Sequence, residues 1–213
     1  MDEESITHTY SINNLPIQTG DILCLGFDTS QEIKPGDYWR ILGILIPGEV
    51  DHVAIYLGPE GRCVEASAKG VYTFNMVDNW WSPEKMFKQR GKFKDHLVGV
   101  AYPLYHLNIS FESETRIRQT VADFCLNQAE SKKPYNINLL DPHREDAFYC
   151  GQLAYLAYLP HGIDLNTNRG IANLPGTKKI VFPQEIWHSC FHLESGIKPS
   201  NYNFLHQETS HKS

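Results

Sequence analysis

The first hundred residues carry short apolar runs cut by glycine, proline and polar turns, the pattern of a sheet. Residues 21–26 form an apolar strand entered through Gly20-Asp21, a pair that suits a plain turn. Two runs of β-formers, residues 51–58 and 62–66, flank Pro59-Glu60-Gly61 and predict a hairpin. Residues 70–75 suit a third strand, interrupted by Trp80-Trp81-Ser82-Pro83, and residues 97–102 suit a compact further strand. A helical period then takes over. Residues 113–130 predict a helix, with Ser113 as N-cap, Glu114 in the first turn, and Ile117, Val121, Phe124 and Cys125 on one face. After the polar, turn-rich stretch 136–146, residues 148–158 place Leu153, Ala154, Leu156 and Ala157 on a broad apolar face and stop at Pro160. That predicts a short helix with Cys150 in its first turn. Residues 178–182 form a short element, followed by a helix opened by Pro183. Residues 1–17 read as a loose arm, 18–193 as one domain, and 194–213 as a polar, fraying tail. The apolar run 39–46 is far too short to span a bilayer. It suits either a buried element or an apolar flap beside a site.

The predicted hairpin has a checkable register. If its turn centres on Pro59-Glu60, Leu57 lies opposite Arg62 and Ala54 opposite Glu65. Glu65 is then the diagonal neighbour of His52, roughly 7–8 Å away at the backbone and within reach of two long side chains. A slip of one residue would turn Glu65 to the opposite face. Cys150 has its own significance at a helix start, where unpaired N–H groups and the helix dipole favour a thiolate and can hold an oxyanion. Taken singly, each feature has a plain reading: a buried structural thiol, and an exposed His and Glu on an edge hairpin.

Composition narrows the class. The chain has 213 residues, 41% of them hydrophobic, enough to bury one substantial core. A net charge of −6 speaks against a general nucleic-acid or anionic-membrane binder. The basic stretch from Lys85 to Lys94 reads as a solvated surface, with a carboxylate- or phosphate-reading edge as the sharper alternative. The acidic start, Met1-Asp2-Glu3-Glu4-Ser5, lacks the apolar run of a signal peptide and points to the cytoplasm. The five cysteines are odd in number and lack framework spacing, so free thiols are expected. His188 and His192 lie four apart around Cys190, but no CxxC or HExxH pattern occurs. No metal and no cofactor is expected.

In order, Gly20-Asp21-Ile22-Leu23, His52-Val-Ala-Ile-Tyr-Leu-Gly58, Val64-Glu65-Ala66, Pro134-Tyr135-Asn136 and Tyr149-Cys150-Gly151-Gln152-Leu153 resemble the permuted NlpC-like papain-fold hydrolases. These are the YaeF/YiiX-type amidases, related to lecithin:retinol acyltransferase-like enzymes. The resemblance spans roughly residues 18 to 190 and includes the 13-residue step from His52 to Glu65. It implies an α+β, papain-like core: an antiparallel sheet or small barrel carrying His52 and Glu65, packed against the Cys150 helix. The histidine strand precedes the cysteine helix, as in the permuted branch. The family often has serine where this chain has Gly151.

By role, Cys150 is the candidate nucleophile, His52 the proton carrier and Glu65 the orienter of the imidazole. Asp51 is the fallback orienter. Tyr135 matches a family tyrosine upstream of the cysteine. Tyr135, Gly151 and Asp51 are the remaining candidates for substrate or oxyanion contact. The implied activity is amide-bond hydrolysis through an acyl-enzyme, on a small peptide or an amino-acid conjugate. A thiol acyltransferase or lipid acyl hydrolase acting on an acyl lipid is the alternative, and a non-catalytic binding module the second.

Overall fold

Asn13 and Asn14 both take left-handed backbone conformations, with φ of 50° and 61°. Two such residues make the two-residue turn that matches strand twist. They close β1 (Thr9–Ile12) onto β2 (Leu15–Gln18), with Ile12 paired to Leu15. This corrects the expected loose arm: Ile12, Leu15 and Ile17 are fully buried, and their alternation marks the hairpin's inner face. The computed structural model describes residues 7–27, 48–91, 94–171 and 174–196. The apolar run 39–46 lies outside the described residues.

The protein is α+β. A six-stranded antiparallel sheet is ordered β6-β5-β4-β3-β7-β8. Its strands are β3 (Ile22–Phe27), β4 (His52–Tyr56), β5 (Arg62–Ser67), β6 (Gly70–Asn75), β7 (Asp95–Tyr102) and β8 (Phe191–Glu194). Four helices are present among the described residues: α1 (Pro83–Arg90), α2 (Phe111–Glu130), α3 (Cys150–Tyr158) and α4 (Pro183–Ser189).

Both faces of the sheet are covered. One carries Ile22, Cys24, Val53, Ile55, Val64 and Ala66 against Val121 and Cys125 of α2 and Leu153 and Ala154 of α3. The other carries Leu23, Leu25, Ala54, Tyr56 and Cys63 against the β1–β2 hairpin, Trp81 and Met86. Strands buried on both faces read as continuous apolar runs, which explains their weak alternation.

Three local expectations need revision. Helix α2 starts before Ser113, because the Ser110 Oγ accepts from the Ser113 N–H at 3.2 Å and caps the first turn. The basic stretch is partly helix α1, and its Arg90 is buried rather than solvated. Residue 194, expected to open the tail, ends β8. The Gly20-Asp21 turn also does more than reverse the chain. The Asp21 carboxylate accepts from the Gln18 N–H and from Arg118 of α2, each at 2.8 Å. The Tyr158 hydroxyl of α3 donates to the Gly20 carbonyl at 2.7 Å. One turn thus ties the sheet to both large helices.

Candidate active site

Helix α3 presents Cys150 at its first position, with the extended Tyr149 as N-cap. The Gln152 side chain reaches back, its oxygen accepting from the Tyr149 N–H at 3.2 Å and from Asn136 at 2.9 Å. Its amide donates to the Arg144 carbonyl at 2.7 Å. Gln152 and Asn136 are fully buried, so this pair locks the 136–146 loop onto the cysteine turn. The Tyr149 hydroxyl accepts from the Val181 N–H at 3.0 Å, fixing the other side of the turn. Gly151 has a steric reason: a Cβ there would lie 2.1 Å from the Val181 carbonyl oxygen. Serine at this position is incompatible with the close approach of residue 181.

The hairpin register is as its turn predicts. Ile55 pairs with Val64 and Tyr56 with Cys63, so the next position sets Ala54 against Glu65. The diagonal contact then forms: the His52 Nε2 lies 2.8 Å from the Glu65 Oε2. The carboxylate occupies Nε2, which leaves Nδ1 as the ring nitrogen available to a second partner, and Cys150 is within hydrogen-bonding reach of the imidazole. His52, Glu65 and Cys150 are all buried, and the Phe27 ring flanks the imidazole with centroids 6.4 Å apart. Burial alone would lower the His52 pKa. The electrostatic interaction and hydrogen bond with Cys150, and then those with Glu65, outweigh burial and push it up to about 10. Burial would likewise keep Glu65 protonated, but the Arg90 charge, then the hydrogen bond and charge of His52, hold its carboxyl well below the usual range.

No protein-family model, curated protein or solved structure matches this chain.

The remaining sequence candidates fall in different places. Tyr135 is half-buried, and its backbone bridges Phe148, two residues before Cys150 in the chain. Asp51 turns its carboxylate to the Phe27 N–H at 3.2 Å, while Glu65 takes the imidazole. His188 contacts Gln184, whereas His192 lies tilted against Trp187 with centroids 3.9 Å apart. Among the described residues, no group of three or more His, Cys, Asp or Glu is placed to hold a metal. All five thiols are free. Burial pushes the thiols of Cys24, Cys63 and Cys125 up, and that of Cys190 up to about 11.

Sequence reasoning missed a charged chain behind His52 and Glu65. Arg90 donates to both Glu65 oxygens, at 3.0 and 2.5 Å, and to both Asp95 oxygens, at 2.7 and 2.5 Å. The Tyr72 hydroxyl donates to the Glu65 Oε1. One signal was available: Arg90 is an arginine among lysines, and its fork suits two carboxylates where a lysine's does not.

Proposed function

We propose that the protein is a thiol-dependent amide-bond hydrolase working through Cys150, His52 and Glu65. The observation that carries the reading is the imidazole held by a buried, ionised Glu65 while its pKa responds to Cys150 at a helix start. The resemblance to the permuted NlpC-like papain-fold hydrolases adds support.

The Cys150 thiolate attacks the substrate carbonyl carbon, and His52 carries the proton taken from the thiol. The carbonyl oxygen becomes an oxyanion. In the first turn of a helix the backbone N–H groups have no intrahelical partner, so the Cys150 N–H is a candidate donor to it. The C–N bond breaks, the imidazolium protonates the leaving amine, and an acyl-thioester remains on Cys150. Water, deprotonated by His52, attacks that thioester and releases the acid and the thiolate. Throughout, Glu65 holds the ring orientation and stabilises the imidazolium.

A second reading, acyl transfer or lipid acyl hydrolysis by the same nucleophile, is favoured by Ile137 and Leu140. These are 71% and 52% exposed on the loop leading into α3. The two readings differ in acyl group and acceptor, not in the covalent step.

The test is intact-protein mass spectrometry after incubation with panels of peptidyl, amino-acid-conjugate and acyl-lipid substrates. The expected result is an acyl adduct on Cys150, absent in Cys150→Ala, whose mass names the group. Limiting iodoacetamide should also label Cys150 first, since the other four thiols have raised pKa values. Adducts that persist in a folded Cys150→Ala protein would remove the nucleophile.

A further inference from the structure

We infer that Arg90 and Asp95 are a positioning pair for the Cys150–His52 couple: Arg90 aims Glu65 at the imidazole and keeps it ionised, and Asp95 restores the negative charge that Arg90 alone would cancel. The inference rests on the proposed Cys-His-Glu reading and extends it by two residues that touch neither the thiol nor the imidazole.

The geometry is unusual for a basic residue on a short helix. The Arg90 side chain is 1% exposed, and those of Glu65 and Asp95 are 0% exposed. All three guanidinium nitrogens are used, Nε and Nη2 on Glu65 and Nη1 on Asp95. The guanidinium lies 5.1 Å from the centroid of the Phe74 ring and 5.6 Å from that of Trp81, so aromatic walls exclude water from the pair. Trp81 is itself fixed by its Nε1–H donating to the Asp95 carbonyl at 2.9 Å. Helix α1 delivers the arginine at its last position. Gly91 ends the helix in a left-handed conformation, and Lys69 Nζ donates to the Arg90 carbonyl at 2.5 Å.

Counting charge shows why both residues are needed. Burial pushes the Asp95 carboxyl up and the Arg90 charge pulls it back down; with both carboxylates ionised, Glu65 and Asp95 contribute two negative charges and Arg90 one positive, leaving one negative charge to face the imidazolium. Glu65 with Arg90 alone would be neutral and would hold the ring by hydrogen bonding only. Glu65 alone, fully buried, would be driven towards its protonated form. A buried ion pair is often no more stabilising than a well-packed apolar replacement, so stability by itself is a weak reason for this chain of charges. The other titratable or charged groups facing it are Cys150 from α3, Tyr72 from β6, Cys63 from β5 and Lys69 from the β5–β6 turn.

The test needs no substrate. The His52 titration is followed by NMR of protein labelled with 15N-histidine, and the pH dependence of Cys150 alkylation by iodoacetamide is measured alongside. In Asp95→Asn the acceptor oxygen stays and the charge goes. The expected result is a His52 pKa lower by about one unit or more, and Cys150 alkylation near pH 7 slowed about tenfold, in a folded protein. Arg90→Lys keeps the charge but loses the fork, and should shift both readouts in the same direction. A folded Asp95→Asn protein with the wild-type titration and alkylation profile overturns the inference. Should that variant not fold, Arg90→Lys carries the same test with the same criterion. Failure of the underlying reading looks different: in wild type, Cys150 would not be the fastest thiol, and Cys150→Ser would leave the His52 titration unmoved.

Discussion

In the proposed mechanism, the 2.8 Å hydrogen bond between His52 and Glu65 holds the imidazole that moves the proton. A carboxylate in this role strengthens its hold as positive charge develops on the ring, so its loss is felt in turnover more than in binding. On a substrate identified by the adduct experiment, Glu65→Gln should lower kcat by about 10- to 10⁴-fold and leave KM nearly unchanged. Its pH profile carries a second readout. With the His52 pKa pushed up to about 10, the alkaline fall of kcat/KM in wild type should sit near that value and not at the ordinary histidine value of 6.5. In Glu65→Gln the imidazolium loses one of its two supports, so the fall should move to lower pH. Turnover within about twofold of wild type across the whole pH range would reduce the site to a Cys150–His52 dyad.

At the scale of elements, the cysteine turn of α3 is clamped from two sides. Gln152 and Asn136 hold the loop before it, and Val181 packs directly on Gly151. The contact with residue 181 is backbone against backbone, so a side chain at 151 cannot be accommodated by rotamer change. Gly151→Ser should therefore lower stability by about 1–3 kcal/mol, the usual cost of overpacking, visible as a lower melting temperature. It should also slow Cys150 alkylation, because the turn that presents the thiol must shift. An unchanged melting temperature with wild-type alkylation would mean that the 181 segment yields freely and that glycine is not required. The same packing places helix α1 on the opposite face of the sheet from α3, yet its last residue reaches the site through Glu65.

For the whole molecule, the buried charges make stability depend on pH. Glu65 has its folded pKa held below the unfolded value of about 4.5. Its contribution is fully present above that unfolded value and is lost as pH falls through the folded one. Wild type should lose on the order of 2 kcal/mol through this group alone on the acid side, the size typical of a paired carboxylate. Denaturant unfolding below pH 4.5 should give a shallower fall of stability in Glu65→Gln than in wild type, whatever the difference at neutral pH. Equal slopes would mean that Glu65 is not paired in the folded protein. Among the described residues, no helix is long and apolar enough to cross a membrane.

The sequence by itself determined the local elements and the first contact. The Pro59-Glu60-Gly61 turn sets the β4–β5 register, because side chains alternate with a period of two and the turn fixes the count. The apolar stripe of residues 148–158, ended by Pro160, places Cys150 at a helix start through short-range rules alone. What lay beyond those rules was every pairing between elements distant in the chain. Arg90 looked like one more solvated charge in a basic stretch, since nothing local shows that α1 ends against Glu65 and Asp95. Residues 9–17 looked like part of an arm, because two asparagines are a weaker turn signal than Asn-Gly and the core that Ile12 and Leu15 enter is built by later strands. Gly151 departs from the serine common in the resembled family, and its steric reason is visible only in the fold, where a Cβ would lie 2.1 Å from the Val181 carbonyl oxygen. Only the tertiary structure decides such contacts, because they depend on which surfaces meet, and periodicity reports which face is apolar without naming its partner.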